Sequence, residues 1–260
     1  MMRNNTSTLG PRRCLDERPR RGMMRDRAAD RRLLWETMFV LAVSLGQSAW
    51  YSILRMIERL TRGVPMNQQT STLNSSVTPG RPWLDLLYQL SDIAFGVVPA
   101  LLAVLLLAQV KPPRQGVRRA LGLEAPGWGR DVGAGAMLAA IIGIPGLGFY
   151  WAAHALGFNT TVRAADLQHV WWTAPVLIGL AGMNAVLEET VMIGYLFTRW
   201  GQIGWSTTMV IFTSAIIRAT YHLYQGWDDF IGNIVMGLFL GWVFSRRCRL
   251  LPLIVCLLYT

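Results

Sequence analysis

Apolar windows long enough to cross a bilayer recur along this 260-residue chain, separated by short polar or basic stretches. A spanning helix needs roughly 20 mostly apolar residues. By that measure the pattern predicts an all-α fold, a polytopic transmembrane helix bundle of six full spans plus a C-terminal stub. The spans are predicted over about Leu34 to Leu54, Leu86 to Val110, Val132 to Leu156, Ala174 to Thr198, Ser206 to Tyr224 and Phe230 to Phe244. The stub, Leu250 to Tyr259, is too short to cross. Residues 33–260 therefore read as one membrane domain. The Ser/Thr/Asn/Gln-rich stretch Met66 to Pro79 has the composition of an exposed loop.

Composition agrees with that pattern: 52% of the residues are hydrophobic and 15% charged, against about 25% charged in soluble domains. The net charge of +10 would suggest nucleic acid in a soluble protein, but it is concentrated. Residues 1–32 carry ten arginines against Asp16, Glu17, Asp26 and Asp30, which is +6 of the total. With few large apolar residues and no periodic stripe, this segment reads as a disordered basic tail. It reads first as a segment that only sets orientation, with contact to anionic lipid headgroups of the bilayer as the functional alternative, and no nucleic-acid partner is expected. The other basic clusters are Lys111, Arg114, Arg118, Arg119 and Arg130, and then Arg246, Arg247 and Arg249. Positive residues accumulate on the cytoplasmic side, so six spans place all three clusters inside, in a multi-pass cell-membrane protein with a cytoplasmic N-terminus. Trp171, Trp172 and Trp227 at outer span ends, and Trp200 and Trp205 at inner ones, fit interface anchors. Three cysteines without CxxC spacing suggest neither a disulfide framework nor a cysteine zinc site.

Two acids interrupt the fourth span. Glu188 and Glu189 lie in its interior, where an ionisable side chain costs at least about 2.5 kcal/mol and is a functional hypothesis by default. Neighbours on a helix diverge by about 100°, which suits a division of labour: one carboxylate holds or activates a water while the other orients a partner. Pairing with an arginine to fix helix packing is the structural alternative. His222 follows by one helical hairpin, with Arg218 four residues before it on the same face. It could hold a metal or donate to a developing oxyanion. Asn233, early in the sixth span, is a further candidate, against a helix–helix hydrogen bond. His154 and His169 receive no role. At about 1.5 Å per residue, Glu188 lies about 15 Å from the inner end of its predicted span and His222 about 24 Å from the inner end of its own, so the two levels differ.

At these residues the sequence resembles the CPBP family, the intramembrane proteases also called type II CAAX endopeptidases or Abi proteins. That family's pattern is Glu-Glu-x-x-x-Arg on one helix, Phe-x-x-x-His on the next, then a later helix with a histidine followed by Asn or Asp. Glu188, Glu189 and Gly194 match the first motif and its trailing glycine, and His222 the second. Tyr-His-Leu-Tyr-Gln-Gly followed by Gly-Asn-Ile-Val-Met-Gly looks like the actinobacterial branch. The resemblance covers about residues 85–258 and departs at three places: Ile193 stands at the family arginine, Arg218 at the phenylalanine and Leu257 at the last histidine. It thus looks like a C-terminally truncated member whose arginine has moved between facing helices, leaving Arg218 to support the glutamates.

The resemblance implies an intramembrane endopeptidase in which one glutamate activates water to attack a peptide bond of a membrane-associated substrate. His222 and Asn233 would stabilise the oxyanion. A metalloprotease with zinc stays open, with Glu188 and His222 as the residues that would touch the ion, although there is no HExxH and two ligands are few for such a site. Two other classes compete. One is a catalytically impaired or non-catalytic membrane immunity or scaffold protein of the same fold, which Leu257 favours. The other is a small transporter using the glutamates as an ion site, against which the lack of internal repeats counts.

Overall fold

A computed structural model describes residues 27–109, 116–124, 127–167 and 170–259. The predicted basic tail falls outside these up to residue 26, as do Lys111, Arg114 and His169. Arg27 to Arg32, expected as tail, already belong to the first helix.

The described chain is a helical membrane bundle. Helix α1 runs Arg27–Thr61, with a π turn at Ala42–Gly46, and α2 covers Pro82–Gln109. Helix α3 is Trp128–Ala155 and α4 is Thr173–Gln202, with a π turn at Glu189–Tyr195. Helix α5 is Thr207–His222, α6 is Trp227–Arg247 and α7, the expected stub, is Leu251–Tyr259. Five of these, α1 to α4 and α6, are long and apolar enough to cross a membrane. Helix α5, predicted as a full span, has only 16 residues, about 24 Å at helical rise. Pro99 and Pro145 sit inside α2 and α3, as spanning helices tolerate when neighbours and local adjustments satisfy the freed carbonyls.

The all-helical expectation misses one element. The stretch predicted as exposed loop contains strand β1, Thr70–Ser75, which pairs in parallel with β2, Thr161–Asp166, in the register Thr70 to Thr161 through Ser75 to Asp166. This small sheet is tied to the start of α6. Asn159 bridges Gly226, and the Thr160 hydroxyl donates to the Gln225 carbonyl at 2.8 Å.

Helix α4 is the buried centre of the bundle: over half of its apolar window is enclosed, against a third or less in the other four spanning helices. It packs on α2, while α5 and α6 form an antiparallel hairpin and α7 lies on α3 and α4. Ser206 starts α5 by accepting the Met209 N–H at 3.2 Å, an N-cap bond. Asp228 and Asp229 open α6 and Arg246 and Arg247 close it, each charge complementing the helix dipole. Trp200, expected as an interface anchor, is buried and stacked near Trp205, with ring centres 4.6 Å apart; its indole fills core at the bottom of α4. Trp171, by contrast, is exposed.

The α5–α6 hairpin depends on close approach at Gly237. A Cβ there would lie 2.9 Å from the Ala215 Cα, with backbone that has nowhere to move. Gly237→Leu is therefore expected to pry the helices apart at a cost of about 1–3 kcal/mol, read as a lower Tm in detergent. Gly232→Ala, on the same helix with nothing near its Cβ, serves as the control and leaves Tm unchanged or raises it. Equal effects from both would show that this contact does not set the helix spacing.

Candidate active site

The two glutamates occupy the junction where α4 changes from α to π geometry. A π turn widens the helix by one residue and is found most often at functional sites. All seven residues from Glu189 to Tyr195 are buried, so the pair sits in the least accessible part of the bundle.

Facing it, α5 presents three side chains from one helical face, at i, i+3 and i+4: Arg218, Tyr221 and His222. Arg218 Nη2 donates to Glu189 Oε1 at 2.5 Å, and its Nη1 lies 3.6 Å from Glu188 Oε2. The Tyr221 hydroxyl donates to Glu188 Oε2 at 2.8 Å, and His222 Nε2 lies 3.8 Å from Glu188 Oε1. Sequence arithmetic set His222 and Glu188 at different depths. They meet because α4 runs on to Gln202 and α5 begins at Thr207, which puts each residue about 21–22 Å from the turn that joins the two helices.

The two acids are not equivalent. Glu189 is fully enclosed and hydrogen-bonded to Arg218, whereas Glu188 is 8% exposed beside a His222 side chain that is 23% exposed. Glu188 is thus the carboxylate a small reactant can reach. One guanidinium serves both, which offsets the cost of burying charge only because it is itself buried and in contact with each.

Asn233 lies on the neighbouring helix. Gly237 meets Ala215, and a Cβ at Gly241 would meet Ile211. Continuing that antiparallel register one turn places Asn233 opposite Ala219, between Arg218 and His222. Its Nδ2 donates to the Asp229 carbonyl at 2.8 Å, and its Oδ1 is buried without a hydrogen-bond partner among the described residues, as are Glu189 Oε2 and His222 Nε2. The structure therefore brings Glu188, Glu189, His222 and Arg218 to one place, while Asn233 is set beside them by helix register alone. Tyr221 was missed, although its spacing from Arg218 and His222 was a readable signal.

A zinc ion does not fit this donor set. A catalytic zinc takes three protein ligands, and among the described residues no three His, Cys, Asp or Glu side chains converge as ligands.

Residues 170–257 match the family model described as type II CAAX prenyl endopeptidase, Rce1-like. Over this segment the chain is similar to that family. No curated protein and no solved structure matches the chain. The match takes up α4 to α7 nearly whole, so every residue of the cluster lies inside the matched segment, while the stretch from 85 to 169 lies outside the match. Within the matched segment, Ile193, at the arginine of the family pattern, is buried and its side chain is apolar. The guanidinium that touches the glutamates comes instead from Arg218, across the interface.

A second buried ion pair braces the bundle at the other end of α4. Arg199 Nε lies 2.9 Å from Glu36 Oε1, which also accepts from the Tyr195 hydroxyl at 2.8 Å. Arg199 further donates to the Leu106 carbonyl and to Gln202 Oε1. This ties α1 and α2 to α4. Neither Glu36 nor Arg199 was singled out from the sequence.

Proposed function

We propose that the chain is an intramembrane endopeptidase that cleaves a peptide bond of a membrane-associated peptide or protein. One observation carries this reading: Glu188, partly reachable, stands beside His222 on a facing helix, with Glu189 and Arg218 sealed behind it. Glu188 Oε1 takes a proton from a water molecule as the water oxygen bonds to the peptide carbonyl carbon. His222 and the free Nδ2 hydrogen of Asn233 face the oxygen on which negative charge develops. As the C–N bond breaks, Glu188 returns the proton to the leaving nitrogen, so one water is consumed and the carboxylate is restored. No step uses a metal. The basic clusters support a cytoplasmic N-terminus.

Purified chain in liposomes, given a fluorogenic prenylated peptide and its unprenylated counterpart, tests this. Glu188→Gln is expected to lower kcat by about 10²–10⁴-fold, the usual contribution of a general base. Cleavage that survives Glu188→Gln, or a wild-type chain inert on both peptides, would overturn the reading. The second outcome favours a non-catalytic immunity or scaffold protein of the same fold, the reading that Leu257, in place of the family's last histidine, supports.

A further inference from the structure

We infer that Tyr221 is a positioning residue for Glu188, tying one carboxylate oxygen so that the other is the one that exchanges protons. The inference rests on the peptidase reading and adds to it which atom of Glu188 reacts and what makes the two oxygens differ. Oε2 accepts the Tyr221 hydroxyl at 2.8 Å and has Arg218 Nη1 at 3.6 Å. Oε1 has neither, and faces His222 Nε2 at 3.8 Å.

A glutamate carboxylate turns easily about its last torsion, which is broad and twofold. The Arg218 contact alone is too long for a hydrogen bond and would leave that rotation free. A phenol has a single O–H to donate, and Tyr221 spends it on Oε2, a bond to a charged acceptor in buried surroundings. Rotation would break that bond, so Oε1 stays turned towards His222. The ring itself fills core, and its centre lies 4.7 Å from that of His222. Phenylalanine would fill the same space, so the hydroxyl acts on Glu188 alone.

The position also relates to the moved arginine. Arg218 and Tyr221 are one helical turn apart on α5 and grip Glu189 and Glu188 respectively. Each carboxylate thus has its own holder on the facing helix, and none comes from α4.

Tyr221→Phe in the full chain, reconstituted in liposomes, is the test. Loss of a hydrogen bond to a charged group is expected to lower kcat by about 10–100-fold with KM changed less than about twofold, and with Tm close to wild type. In a Glu188→Gln background the same substitution is expected to lower the residual rate no further. A reading independent of activity is the infrared carboxylate stretch of Glu188, isolated as the difference between each protein and its Glu188→Gln partner; removing the hydroxyl is expected to shift that band. An unshifted band with unchanged kcat overturns the inference, as does an equal loss in the Glu188→Gln background, which marks a general structural effect. If the wild-type chain cleaves nothing yet the band shifts, the Tyr221–Glu188 bond is upheld and the peptidase reading falls.

Discussion

Arg218→Leu is expected to abolish cleavage and to destabilise the fold by about 3–5 kcal/mol, the cost of leaving a buried charge without its partner. The effect is large because one side chain balances two acids: Arg218 bonds Glu189 Oε1 and lies beside Glu188 Oε2, and both carboxylates are buried. Without it, Glu189 loses its hydrogen-bond donor in the core and Glu188 keeps only the Tyr221 hydroxyl and the neighbouring His222. The resemblance suggests a sharper version of the experiment. In the double variant Arg218→Phe with Ile193→Arg, the family's Glu-Glu-x-x-x-Arg and Phe-x-x-x-His spacing is restored, and part of the lost activity and stability is expected to return. Tm and kcat of the single and double variants decide the matter. A double variant no better than Arg218→Leu would show that the arginine cannot be exchanged between these helices, and full activity in Arg218→Leu would remove Arg218 from the site altogether.

The second large effect is expected far from the glutamates. Glu36→Ala should cost about 3–5 kcal/mol, because it strands Arg199, which is fully enclosed, and also deprives the Tyr195 hydroxyl of its acceptor. Arg199 keeps its bonds to Leu106 and Gln202, so the lower end of the range applies if these hold the guanidinium in place. Replacing Glu36 and Arg199 together by a well-packed Leu and Met is expected to recover most of the loss, since a buried pair and its apolar substitute often differ little. Urea or thermal unfolding in detergent measures both. A Glu36→Ala protein as stable as wild type would mean that α1 is not fastened to α4 by this pair.

Glu188 and Glu189 were legible because charge in an apolar window is conspicuous, and His222 because it follows by one hairpin. Arg218 was legible as a departure from a pattern. What could not be read was which glutamate it holds, since that depends on the α-to-π change at Glu189, and no apolar periodicity announces a π turn. Tyr221 looked like one more aromatic residue in an aromatic-rich chain. The β1–β2 sheet escaped notice for a different reason. Thr70–Ser75 is polar with a single large apolar residue, and its partner lies some ninety positions away, so neither alternation nor a turn signal marks it. Glu36 and Arg199 sit near span ends, where charge is ordinary. Only the packing of α1 against α4 makes them a buried pair.

If the chain is the peptidase proposed above, the shortness of α5 bears on where hydrolysis would find its water. A bilayer's hydrocarbon slab is about 30 Å thick, while α5 offers about 24 Å of helix with His222 as its last residue. A lipid layer cannot leave that end dangling in oil. It must dimple inwards or let the aqueous phase down to the hairpin that joins α5 to α6. His222 and the exposed edge of Glu188 then lie at the floor of a local thin spot. Reconstitution in lipids with progressively longer acyl chains is expected to thicken that spot and to slow cleavage, read as a falling kcat.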